Sequence, residues 1–161
     1  MQSVAITLNK KDLFFEVKNK LYTISESRKT SDNLEAIDYI KVNDDTNDQY
    51  RVLSSFSKSK NEVENLLSKY SSDSATITQS ETIDTTLTGT LTFSLSMPDN
   101  FANNAKLSNA IHNYLVDKAV FDWLMVAAPN EATPYQGIYT NDLQEIVLIF
   151  NKRSKPTYAE S

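Results

Sequence analysis

The single histidine, His112, is the side chain best suited to proton transfer near neutral pH. Its own helix offers no carboxylate at positions 108, 109, 115 or 116. A Ser–His–acid triad would have to use this one imidazole, and no serine stands in a nucleophile-elbow context. His112 therefore reads as a structural or interface residue. Cysteine is absent, which removes thiolate nucleophiles, disulfides and cysteine-based zinc or iron–sulfur sites. Oxygen ligands remain. Asp44, Asp45 and Asp48 could hold a hard cation, but the segment lacks the glycine and terminal glutamate of an EF-hand. A helix-capping cluster fits them better. Asp117 with Asp122, and Asp142 with Glu145, have the types of a general acid–base pair, and ion pairing with Lys118 or Lys152 is the simpler assignment. Gly89 and Gly137 are the only glycines, so a Gly-rich phosphate loop is excluded. Lys152, Arg153 and Lys155 fall short of a nucleic-acid footprint, and the net charge of −5 points the same way. No catalytic residue, cofactor or metal is assigned.

The elements that must position these groups are marked by punctuation and period. Asn9 and Asp12 approximate a capping box, with Leu8 and Leu13 as its hydrophobic staple. Leu13, Phe14, Val17, Leu21 and Ile24 then form the apolar stripe of a first helix ending near Ser27. Ser3 to Thr7 alternate weakly, as a short strand or an arm. Arg28 to Asn43 reads as a loop with a short extended stretch at Ile37 to Val42. Thr46 and Gln49 have capping-box spacing for a second helix, where Val52 or Leu53, Phe56, Lys60, Val63, Leu67 and Tyr70 mark one buried seam. From Ala75 to Met97 the apolar residues occupy odd positions and Thr or Ser most even ones, the period of a β-hairpin that turns near Gly89.

Pro98 and Pro129 bracket a long helix of about 40 Å at 1.5 Å per residue. Its first half has one apolar face; from Ala119 to Ala128 only Asp122 is polar, so that half expects burial on all sides. Trp123 stands between Ala119 and Ala127. That leaves its indole free to pack on Ile146 or Phe150, or in a pocket between subunits. Thr133 and Pro134 mark the N-cap and first position of a last helix, with Tyr135, Ile138, Tyr139, Leu143, Ile146, Val147 and Phe150 on its buried face. The expected class is mainly α with a β-hairpin insertion (α+β), in the order helix, helix, hairpin, helix, helix. Residues 1–152 make one domain with the hairpin at about 75–97, and 153–161 form a mobile tail that a partner orders. The opening residues lack a basic segment followed by an apolar run, so no secretory signal is read there.

This order, with its local motifs, resembles the head–tail connector (adaptor, head-completion or neck ring) proteins of tailed bacteriophages. The matching segments are Ala5-Ile6-Thr7-Leu8 before the capped first helix, the Asp-rich start at Asp44 to Leu53, Met97-Pro98-Asp99-Asn100-Phe101, and the core from Ala110 to Trp123. That core resembles structural proteins of crAss-like gut phages in particular. The pattern departs from the family at Arg28 to Asn43 and at Lys69-Tyr70-Ser71-Ser72. The resemblance implies a structural virion protein at the neck between head and tail, assembled in the host cytoplasm. It further implies a twelve-fold ring of identical subunits, contacts with the portal and other neck or tail proteins, and non-specific passage of double-stranded DNA. No membrane partner is expected. Candidate interface residues are Thr86, Thr88 and Gly89 of the hairpin, Trp123 and Met125 of the long helix, and Arg153, Lys155 and Tyr158 of the tail. The residues alone leave open another neck, tail-completion or assembly protein, a small helical enzyme or regulator, and a monomeric binding module for a peptide or lipid.

Overall fold

The computed structural model describes residues 1–29, 38–71, 75–80 and 85–152. In chain order the elements are β1 (Gln2–Asn9), α1 (Lys10–Arg28), α2 (Thr46–Lys69), β2 (Thr76–Ile77), β3 (Thr90–Met97), α3 (Asn104–Ala127) and α4 (Pro129–Asn151). The chain is thus mainly α with a small antiparallel sheet. Strand order is β1-β3-β2.

The sheet decides two expectations. Residues 2–9 form a full strand, paired along its whole length with β3, from Gln2 opposite Met97 to Asn9 opposite Thr90. The Thr-rich hairpin survives as a pairing of β2 with β3 at Thr76–Ser96 and Ile77–Leu95. The long strand β3 also pairs with the chain's own β1. Val4 faces Leu95, Ile6 faces Phe93 and Leu8 faces Leu91, and all six are buried. Ser3, Ala5, Thr7, Thr92 and Ser94 stand on the exposed face. The alternation is that of a sheet with one face on the core and one in water. Gly89 takes a positive φ of 95° just before β3, and its carbonyl accepts a hydrogen bond from the Lys10 amide at 3.2 Å. The turn therefore ties β3 to the start of α1.

Helix starts follow the side-chain chemistry at α1 and shift at the other three, α3 beginning at Asn104 rather than beside Pro98 and without a side-chain cap. Asn9 caps α1, its side chain accepting from the Asp12 amide. At α2 the cap is Asp45 rather than Thr46, because Asp45 accepts from the Asp48 amide at 2.9 Å. Asp48 in turn accepts from the Asn43 amide at 2.8 Å. In α4 the first helical position belongs to Pro129, and Pro134 lies inside the helix. Ala132 is fully buried, so the first turn is held by packing. Pro134 forgoes one hydrogen bond, to the carbonyl of Asn130, and both residues are exposed where water can replace it.

The long helix α3 is the axis of the core, touching α1, α2, α4 and β1. Leu107, Ile111, Tyr114, Leu115, Val120 and Leu124 are fully buried along it. Burial on all sides does not reach its end: Met125 and Val126 are 49 % and 73 % exposed. The seam of α2 is broader than its apolar residues suggest, since Ser55, Ser57, Ser59 and Glu64 are buried as well. Serine is small enough to let neighbouring backbones approach. Glu64 is satisfied by Lys60 and by the Ser80 amide. On α4, Ile146, Ile149 and Phe150 are buried, whereas Ile138 faces solvent. Among the described residues, no helix is long and apolar enough to cross a membrane.

The sheet supplies the first test. Phe93 is fully buried on the central strand, so Phe93→Ala should destabilise the protein by about 3–5 kcal/mol. Thr92→Lys, one residue away on the exposed face, should change stability by less than about 0.5 kcal/mol. Urea unfolding of both variants measures the contrast.

Candidate functional site

A cleft of about 440 Å³ opens between α2 and α3. Arg51, Ser54, Ser55, Lys58 and Glu62 line one wall, spaced three or four residues apart so that they share a face of α2. Lys118, Asp122, Trp123 and Val126 line the other from α3, and Tyr50 stands at the rim. Several of its polar groups have partners. Ser55 donates to Asp122 at 2.7 Å, and Lys118 pairs with the other Asp122 oxygen at 2.6 Å. The Tyr114 hydroxyl donates to Glu62 at 2.5 Å. Burial, then the hydrogen bond to Glu62, pushes the Tyr114 phenol far above its ordinary range, so it stays a neutral donor.

Trp123 forms the floor of the cleft at its open end. The ring is only 5 % exposed, its N–H donates to the Ile40 carbonyl at 2.7 Å, and the Arg51 guanidinium lies over it at 4.1 Å. The indole N–H is anchored on the segment before α2. That segment is held from outside by ion pairs of Lys41 with Glu26 at 2.7 Å and of Lys29 with Asp38 at 3.3 Å. Glu26 is consequently lowered below its ordinary value by its bonds to Lys41 and Lys29.

The candidate interface residues fall into separate places. Thr86, Thr88 and Gly89 are exposed at the turn before β3, where the Thr86 carbonyl accepts from the buried Lys10 ammonium at 3.2 Å. Trp123 is a core residue, whereas Met125 is on the surface. Arg153, Lys155 and Tyr158, with the tail expectation, lie outside the described residues.

The chemistry-bearing residues also find partners that their own helix could not supply. His112 pairs with Glu16 of α1. Asp117 pairs with Lys20 of α1 at 2.8 Å rather than with Lys118. The Asp44 cluster caps α2 and binds Lys18 at 2.6 Å. Among the described residues, no group of three or more His, Asp or Glu side chains is placed to hold a metal ion. Sequence reasoning missed Glu16, Lys20 and Arg51. Their only signal was a charged residue on an otherwise amphipathic helix, which solvent explains equally well.

No family model, no curated protein and no solved structure matches this chain.

The cleft gives a second test. Trp123→Phe keeps an aromatic ring, though a smaller one, and leaves the buried Ile40 carbonyl without its donor, which should cost about 1–3 kcal/mol. Arg51→Ala should cost about 0.5–1 kcal/mol through the lost stacking. It should also change the emission of the chain's single tryptophan, which the Phe variant abolishes. Thermal unfolding and fluorescence distinguish the two.

Proposed function

We propose that this chain is the subunit of an oligomeric ring that joins the portal of a tailed-bacteriophage head to its tail and surrounds the DNA channel. The observation that carries the reading is the apolar end of α3. Met125 and Val126 project into solvent there, and Val126 lines the cleft together with the exposed Tyr50. Adjacent exposed apolar side chains at one end of a core helix are the kind of surface that a partner covers. A shallow apolar groove of about 430 Å³ lies elsewhere, between Leu66 of α2 with Tyr70 just past its end and Leu143, Val147 and Leu148 of α4. A projecting patch and a recessed patch on different helix pairs suit a heterologous contact, the kind that closes into rings.

The resemblance through Ala5–Leu8, Asp44–Leu53, Met97–Phe101 and Ala110–Trp123 supports the same reading. It supplies the portal and other neck or tail proteins as partners, twelve-fold symmetry and the virion as location. A subunit of net charge −5 is compatible with DNA sliding through without being held.

Assembly is the direct test. Wild-type protein should form a ring at high concentration or on the portal of its particle, seen by light scattering and electron microscopy. The double variant Met125→Ser, Val126→Ser should remain monomeric in both settings. Its melting temperature should match wild type, because both side chains are exposed in the monomer. A wild type that is monomeric with and without portal, or a variant that assembles normally, contradicts the reading.

A further inference from the structure

Asp117 of α3 and Asp142 of α4 stand together in the interior angle between α1, α3 and α4. Asp117 is 5 % exposed and receives one cation, Lys20 of α1, at 2.8 Å. The Asp142 carboxyl lies within hydrogen-bonding reach of Asp117. Its Oδ2 is buried and meets no donor among the described residues. A buried carboxylate and a half-buried one against a single ammonium leave one negative charge uncompensated. A proton placed between them removes that charge and gives the orphaned oxygen its hydrogen bond.

We propose that Asp117 and Asp142 share one proton beside Lys20, and that losing this proton loosens α4 from α1 and α3, making their junction a pH-sensitive clasp.

The surrounding groups agree on the direction. From α1, Lys20 faces the pair, with Glu16 behind it and itself bound to His112 of α3. From α4, Tyr135 faces the same cluster, and burial raises it above its ordinary value, so it adds no charge there near neutral pH. Burial draws the Lys20 ammonium down, but its hydrogen bond and attraction to Asp117 outweigh that and hold it raised, so it stays charged. Asp142 is pushed up to about 7, first by burial and then by Asp117, with Lys20 working the other way. The titration belongs to the pair as a unit. An open depression lined by Asn19, Lys20, Thr23, Ile24 and Tyr135 reaches the Lys20 side of the cluster, so a proton can exchange with solvent while the helices remain formed.

The sign follows from linkage. In the unfolded chain Asp142 ionises near 3.8, so between about pH 4 and pH 7 the folded state holds a proton that the unfolded chain has released. This contribution is full below that window, declines as pH rises through it, and is gone above it. Asp142→Asn imitates the protonated form, since its amide donates to Asp117 at every pH.

The experiment compares wild type with Asp142→Asn at pH 5 and pH 8. The variant's advantage in melting temperature should be about 4 °C or more larger at pH 8 than at pH 5, where only part of the wild type's contribution has been lost. Amide exchange should show that α4 of the wild type loses protection between these pH values beyond the base-catalysed rate increase, while α4 of the variant does not. Should the variant fail to fold, a carboxyl carbon NMR titration of wild type decides, with a midpoint near 7 for Asp142 expected. A midpoint near 4, or a melting difference that is the same at both pH values, overturns the proposal.

Discussion

The structure depends on one constraint: α3 is buried along most of its length and nevertheless carries polar side chains that must be satisfied. Those groups are met from three different parts of the chain. His112 and Asp117 are met by Glu16 and Lys20 of α1. Tyr114 and Asp122 are met by Glu62 and Ser55 of α2. Trp123 is met by the Ile40 carbonyl. Apolar packing alone tolerates sliding of one helix along another, because one leucine replaces another at little cost. A buried donor and its acceptor do not. Glu16 to His112 and Lys20 to Asp117 advance in the same sense, four residues on α1 against five on α3, and so fix the two helices parallel and in register. Glu62 to Tyr114 and Ser55 to Asp122 run in the opposite sense and fix α2 antiparallel.

The sheet closes the other side of this core by the same logic. β1 leads directly into α1, and the Gly89 carbonyl receives the Lys10 amide at the corner. Placing β1 against β3 therefore also sets the direction in which α1 leaves the sheet. Lys10 is buried at that corner with its ammonium on the Thr86 carbonyl, so the turn before β3 rests on the first residue of α1. A Thr-rich segment that looks separable in the sequence is thus built into the core through Leu91, Phe93, Leu95 and Met97.

Local signals were the ones that could be read. The Asn9 cap, the period of two at 91–97, the stripe of α1 and the long helix before Pro129 all follow from neighbours within a few residues. What could not be read was pairing over distance. Nothing in Ser3 to Thr7 announces that its partner lies some 90 residues away, and its small residues Ser3 and Ala5 dilute the alternation. Nothing local separates Pro129 from Pro134 as the start of α4, because the deciding fact is the burial of Ala132. The site shows the same division. His112 was legible as a residue needing a partner, but Glu16 was not legible as that partner, and Trp123 was legible as enclosed but not as bound to Ile40. Met125 and Val126 look like core in a continuous apolar run, and only the geometry puts them on the surface.

The central claim is that α3 organises the fold because its polar groups are held from several sides at once. Residue-resolved hydrogen exchange under native conditions tests it most directly. Amides between Leu107 and Leu124 should open only with the whole molecule, at the same free energy as those of β3. Amides near the free ends of α1 and α2 should open at lower free energy. Exchange of the central α3 amides through a local opening, while α1 and α2 stay protected, would contradict the account.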